Sequence, residues 1–154
     1  MSELRDLYQE VILDHNRKPR NCYVMDCASR TADGHNPLCG DTVKVYVRID
    51  QGLIEEISFQ GSGCAICTAS TSLMTESVKG KTVAEATRLF HGFHDMLTGV
   101  AAEQGLDLGK LMVFEGVREY PVRVKCATLA WHTLKAALDN SGTPASTESS
   151  PSTA

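Results

Sequence analysis

The chain has 154 residues, 42% of them apolar and 22% charged, which suits one globular domain with its own hydrophobic core. Its formal net charge of -4 argues against a nucleic-acid partner, since nucleic-acid binders usually carry a strong basic excess. No apolar run reaches the ~18 residues that would signal a membrane span. The start, Met1-Ser2-Glu3-Leu4-Arg5-Asp6, has no apolar signal region, so a cytoplasmic protein with no membrane partner is expected.

Leu4, Leu7, Tyr8, Val11 and Ile12 recur at helical spacing, which predicts an amphipathic helix ending near His15, with Ser2 as N-cap. Asn16 to Pro19 breaks that pattern. Residues 20–41 are rich in turn formers and predict only a short edge strand. Val43, Val45, Val47 and Ile49 alternate with polar or larger neighbours, as on a half-buried strand. Asp50-Gln51-Gly52 predicts a tight turn, and Leu53 to Gln60 a return strand. Gly61-Ser62-Gly63 ends that strand. A helix from Cys64 to Val78 follows, with Cys64, Cys67, Thr71, Met74 and Val78 on one stripe and Gly80 as its stop.

Thr82 and Glu85 form a capping box for the next helix, whose inner face is expected to be Val83, Ala86, Phe90 and Phe93. Glycines punctuate the stretch from about 95 to 118, so only short helical pieces are expected there. Pro121 opens the last helix, with Val122, Cys126, Leu129 and Thr133 on one side. Beyond Asn140 no apolar residue is larger than alanine, and a disordered tail over 141–154 is expected after a single domain over 1–140. The order of elements predicts an α+β fold, a small antiparallel sheet of about three strands packed on a layer of helices.

The chemistry-bearing residues are sulfur. Six cysteines are present, and in a reducing compartment clustered thiols bind metal or do redox chemistry more readily than they form disulfides. Cys22 and Cys27 lie in a patternless stretch and are read as incidental. Cys39 lies in Asn36-Pro37-Leu38-Cys39-Gly40-Asp41, where Gly40 lets Cys39 and Asp41 bend toward one ion. Cys64 opens a helix, where free N–H groups favour a thiolate. Cys126 follows Arg123 and Lys125, whose charges act in the same direction. Cys39, Cys64, Cys126 and Asp41 together make a four-ligand set for zinc or an iron–sulfur unit. The carboxylate is the harder ligand, so this site should open and exchange ligands more easily than an all-sulfur one.

Each of these residues has a plainer reading. A cysteine on an apolar helical stripe is most often a small core residue, which applies to Cys126 and Cys67 taken alone. Asp41 alone is a turn residue. Cys64 and Cys67 form a Cys-x-x-Cys pair, but the downstream segment lacks the alternating strands of a thioredoxin-like fold. His91 and His94 fit a solvated helix face, His35 is a weak candidate to sit behind the site, and His15 and His132 carry no signal.

Three stretches settle the resemblance. Asn36-Pro37-Leu38-Cys39-Gly40-Asp41, Gly61-Ser62-Gly63-Cys64-Ala65-Ile66 and Lys125-Cys126-Ala127-Thr128-Leu129-Ala130-Trp131 resemble the three cysteine motifs of the U-type iron–sulfur assembly proteins (IscU, SufU and NifU N-terminal domains). The resemblance covers residues 1 to about 140. Lys125 stands where the IscU branch has histidine, and Glu119-Tyr120-Pro121-Val122-Arg123-Val124-Lys125 lacks that branch's double proline. The gap from Cys64 to Cys126 is also longer, with the extra residues around Gly92 to Gly116. All three departures look like the SufU branch, and they do not favour docking of an Hsp70-type chaperone.

The resemblance implies a zinc ion (Zn2+) held by Cys39, Asp41, Cys64 and Cys126, and docking to a cysteine desulfurase of the SufS type. It implies Cys39 as the persulfide acceptor and catalytic residue, and downstream scaffolds or apo acceptor proteins as recipients. The alternative it implies is a non-enzymatic scaffold carrying iron or a transient [2Fe–2S] cluster on the same residues. A third reading is a zinc-stapled interaction domain. Cys67 stands where serine is common in the family.

Overall fold

The computed structural model describes residues 2–37, 40–99, 108–139 and 145–146. The elements run α1 (Ser2–Arg17), β1 (Arg30–Asn36), β2 (Asp41–Asp50), β3 (Leu53–Ser62), α2 (Ala65–Val78), α3 (Val83–Thr98), a 3₁₀ segment (Gly109–Glu119), α4 (Pro121–Leu138) and β4 (Ala145–Ser146). The sheet order is β3-β2-β1-β4. The first three strands are antiparallel, and β4 pairs parallel to β1 at Gly34 and His35. This is the α+β architecture expected. Among the described residues no helix is long and apolar enough to cross a membrane.

The sheet's inner face follows from period-two alternation. Val43, Val45 and Val47 are buried; their register partners are Gly34, Ala32 and Arg30 on β1 and Gly61, Phe59 and Ile57 on β3. Gln51 and Gly52 both have positive φ, which is the turn whose twist matches a two-residue hairpin. Helices α2 and α4 lie on this face. Trp131 of α4 is fully buried and stacks on Phe93 of α3 with ring centroids 5.2 Å apart. Phe114 of the 3₁₀ segment meets Phe93 edge-on at 5.8 Å. The stretch expected to hold only short helical pieces thus closes the bottom of the core. Residues 100–107 lie outside the described set.

Strand β1 is longer and more central than the short edge strand expected. Its inward residues are Ala32, Gly34 and Asn36, so it has no large apolar side chain to announce it. Packing explains the small residues: a Cβ on Gly34 would meet Thr133 Oγ1 at 2.0 Å, so α4 rests directly on the strand backbone. The capping box of Thr82 and Glu85 is present. The inner face of α3 is Ala86, Leu89, Phe93, Met96 and Leu97, with Val83 and Phe90 half-buried at its margin. In α2 burial spreads beyond one stripe, because α1, α4 and β3 all pack against it. Helix α1 ends at Arg17, and Val11 and Ile12 pack against the core. The side chains of Ser2, Leu4, Leu7 and Tyr8 lie outside the described set, as does the tail except for β4.

Two histidines without a sequence signal are structural. His15 is buried between α1 and α2, where its Nδ1 hydrogen-bonds Ser72 Oγ at 2.7 Å. Burial holds its pKa below the usual value. His132 packs beside Phe90 and His94, and burial, with the His94 charge acting in the same direction, pushes its pKa down to about 4.

Gly34→Ala should cost about 1–3 kcal/mol of stability in urea denaturation, because the new methyl overpacks against α4. Acid should also weaken the fold. The unfolded chain takes up a proton on His132 near pH 6.5, and the folded chain only at about 4. Stability therefore falls as pH drops through that window, by up to ~3 kcal/mol, and levels below it. Urea midpoints at pH 7 and 5 should show the fall, and His132→Gln should shrink it.

Candidate metal centre

The alternation that builds the core also aims Asp41. Residues 41, 43, 45 and 47 share one side of β2, so the strand's first residue points at the helix layer. Asp41 is 1% exposed, and its register partner Asn36 is fully buried. The turn between them is closed by the Gly40 N–H donating to the Asn36 carbonyl at 2.8 Å, with Gly40 at φ 73°. Leu38 and Cys39, inside this turn, lie outside the described residues.

Cys64 is the N-cap of α2, in extended conformation, and its sulfur accepts the Cys67 N–H at 3.4 Å. The Cys64 N–H in turn donates to Asp41 Oδ1 at 2.9 Å, so the carboxylate ties the strand end to the helix start. Its other oxygen, Oδ2, lies 3.7 Å from Cys64 Sγ. Gly63 makes this approach possible: a Cβ there would stand 2.6 Å from Asp41 Oδ1. Cys126 enters from the second turn of α4, buried, with Asn36 Nδ2 donating to its sulfur at 3.7 Å.

Ligand atoms of Asp41, Cys64 and Cys126 lie within 4.8 Å of one another, the only such group of three or more metal-ligating residues found among the described residues. The donor set fits zinc. Tetrahedral bonds of about 2.3 Å to sulfur and 2.0–2.2 Å to oxygen put neighbouring sulfur and oxygen ligands about 3.5 Å apart. The Cys64 to Asp41 separation of 3.7 Å is close to that value. Asp41 and Cys126 are buried and Cys64 is exposed, so the cluster is reached from the Cys64 side.

Other residues singled out in the sequence fall elsewhere. His35 is exposed, because alternation along β1 turns it away from the inward Gly34 and Asn36. His91 is exposed, but His94 is half-buried against His132 and Phe90, so that helix face is only partly solvated. Arg123 lies over the Tyr120 ring at 4.8 Å. Cys27 is exposed beside Arg48. Asn36 and Gly63 were not singled out in the sequence. Counting back by two from Val43 puts Asp41 on the inward side, and the pairing across the turn puts Asn36 beside it.

Residues 7–127 match the family described as the NifU-like N-terminal domain. The chain belongs to that family. This NifU-like domain is 39% identical over 134 residues to the zinc-dependent sulfurtransferase SufU of Bacillus subtilis, a match covering 87% of this chain and 90% of the relative. It is 39% identical over 141 residues to the iron–sulfur cluster assembly scaffold protein IscU of Streptococcus pyogenes, covering 92% and 88%. Among solved structures it is similar to a putative scaffold protein for the SUF system from Fervidobacterium islandicum, with TM-score 0.80, 36% identity and coverage of 84% and 94%. The domain is thus a member of the iron–sulfur cluster assembly group that includes SufU and IscU.

Gly63→Ala should push the Asp41 carboxylate off its position. Zinc affinity, read by competition with a chromogenic chelator, should fall about 10–100-fold while the circular dichroism spectrum is kept. Unchanged affinity would show that Asp41 is not held where the site needs it.

Proposed function

We propose that this NifU-like domain is a cytoplasmic sulfur-transfer protein of iron–sulfur cluster assembly, holding zinc on Cys39, Asp41, Cys64 and Cys126 and taking persulfide sulfur from a SufS-type cysteine desulfurase. The observation that carries the reading is the meeting of Asp41, Cys64 and Cys126 in one cluster from three separate elements. The relative named as a zinc-dependent sulfurtransferase supports it.

The chain's residues divide the work. Asp41 is anchored by the Cys64 N–H on one oxygen, which leaves the other facing the Cys64 sulfur. A carboxylate suits a soft ion less well than a thiolate does, so this set exchanges a ligand more readily than four sulfurs would. A bound zinc ion would keep the thiols deprotonated. The Cys39 thiolate attacks the outer sulfur of the desulfurase persulfide. The sulfur–sulfur bond breaks, Cys39 keeps the transferred sulfur as its own persulfide, and the desulfurase cysteine leaves as a thiolate. Recipients are downstream scaffolds or apo acceptor proteins.

The relative named as an IscU scaffold supports a second reading, in which the same residues carry a [2Fe–2S] cluster as cargo. Oxygen-free purification with metal analysis and absorption spectra separates the two. Zinc without a visible chromophore favours transfer, and an acid-bleached chromophore favours the scaffold.

The reading is tested by mixing the protein with desulfurase and cysteine and locating added sulfur by mass spectrometry. One extra sulfur atom on Cys39, absent from Cys39→Ser, is expected. Sulfur on another residue, or on none, would refute the assignment. Asp41→Ala should retain metal on the three sulfurs yet gain sulfur about tenfold more slowly; faster transfer would contradict the role given to Asp41.

A further inference from the structure

Cys67 takes no part in the three-residue cluster, yet it is the cysteine whose backbone the Cys64 sulfur touches. Cys64 is exposed at the helix cap, and Cys67 is 3% exposed one turn in. The Cys67 N–H points at Cys64 Sγ from 3.4 Å, so that sulfur already rests against the residue bearing the second thiol. Helix residues three apart are neighbours, with Cβ atoms about 5–6 Å apart. A disulfide needs Cβ atoms about 3.5–4.5 Å apart. Cys64 is the extended N-cap and stands outside the helical hydrogen bonding, so a shift of about 1–2 Å at the cap closes that gap without unwinding α2.

A second observation concerns space. Cys67 lines a cavity of about 90 Å³ between the end of β3 and the first turns of α2, shared with Cys22, Phe59, Ser62, Gly63 and Thr71. A thiol that served only as core filling would be packed on all sides. Cys67 borders this space, and the cavity wall includes Gly63, the residue next to Cys64. A serine here would be somewhat smaller and take a hydrogen bond, but could not form a disulfide.

We infer that Cys64 and Cys67 form a thiol–disulfide couple, with Cys64 the thiol that small free disulfides reach and Cys67 the thiol that resolves the adduct. The substrate class is a low-molecular-weight disulfide, RS–SR. Cys64 thiolate attacks one sulfur, forming Cys64–S–SR and releasing RS⁻. Cys67 thiolate then attacks the Cys64 sulfur, closing the Cys64–Cys67 disulfide and releasing the second RS⁻. Two protein thiols are oxidised, one disulfide is reduced to two thiols, and the two protein protons pass to the leaving thiolates. The couple goes beyond the metal-site reading and needs no metal. A metal ion bound at Cys64 would occupy the same sulfur, so a filled site and the closed disulfide exclude one another.

The full-length protein is incubated with oxidised glutathione, as purified and after chelator treatment. Remaining thiols are then alkylated, and peptides are mapped without reduction. The Cys64–Cys67 disulfide should appear after chelation, and in the as-purified sample only in the fraction whose metal site is empty. Cys67→Ser should instead retain glutathione on Cys64, about tenfold more than the natural sequence does. Cys22→Ser should leave the Cys64–Cys67 disulfide unchanged. Glutathione held on Cys64 equally in the natural sequence and Cys67→Ser would overturn the couple. So would a Cys22–Cys67 disulfide, or Cys67 alkylated throughout. Metal content measured on the same samples reports separately on the metal-site reading, so either reading can fail without the other.

Discussion

The Cys64 amide donates to Asp41 Oδ1 across 2.9 Å, and through that contact the end of the sheet holds the start of a helix. Both partners are at chain positions that would otherwise be loose, the first residue of β2 and the N-cap of α2. The carboxylate is 1% exposed, and an ionised group at that depth is costly unless it is hydrogen-bonded or paired. The Cys64 amide answers part of that cost. Gly63 allows the close approach, since any side chain there would collide with the same oxygen. The rest of the site is arranged around this contact, with Cys126 brought in by α4 and steadied by Asn36.

The scaffold positions these groups by ordinary packing. α4 rests on the backbone of β1 at Gly34, and its Trp131 locks onto Phe93 of α3. Ser70 of α2 donates to the Ala127 carbonyl of α4 at 2.5 Å, next to Cys126. The two cysteine-bearing helices are therefore tied to each other one residue from Cys126. A cluster held this way is set by the core, while Cys64 at its rim stays exposed.

Much of this was legible in the chain itself. The β2–β3 hairpin, the capping box and the Pro121 helix start each follow from local chemistry, a turn dipeptide, a reciprocal cap and a missing N–H. Strand β1 was not legible, because its inward side chains are alanine, glycine and asparagine, chosen for closeness to α4 and not for apolar bulk. His15 was opaque for a related reason. Its partner Ser72 is 57 residues away, and nothing local marks a buried polar pair. At the site, three motifs pointed to Asp41, Cys64 and Cys126, and the fold brings them together. Asn36 and Gly63 stayed hidden, since their roles depend on which strand and helix meet.

X-ray absorption at the zinc edge, on protein purified without oxygen and loaded with one equivalent of zinc, tests the ligand set most directly. The account predicts three sulfurs at about 2.3 Å and one oxygen at about 2.0–2.2 Å, with the oxygen lost in Asp41→Ala. Four sulfurs in the natural sequence, which would put Cys67 or another thiol in place of the carboxylate, would contradict it.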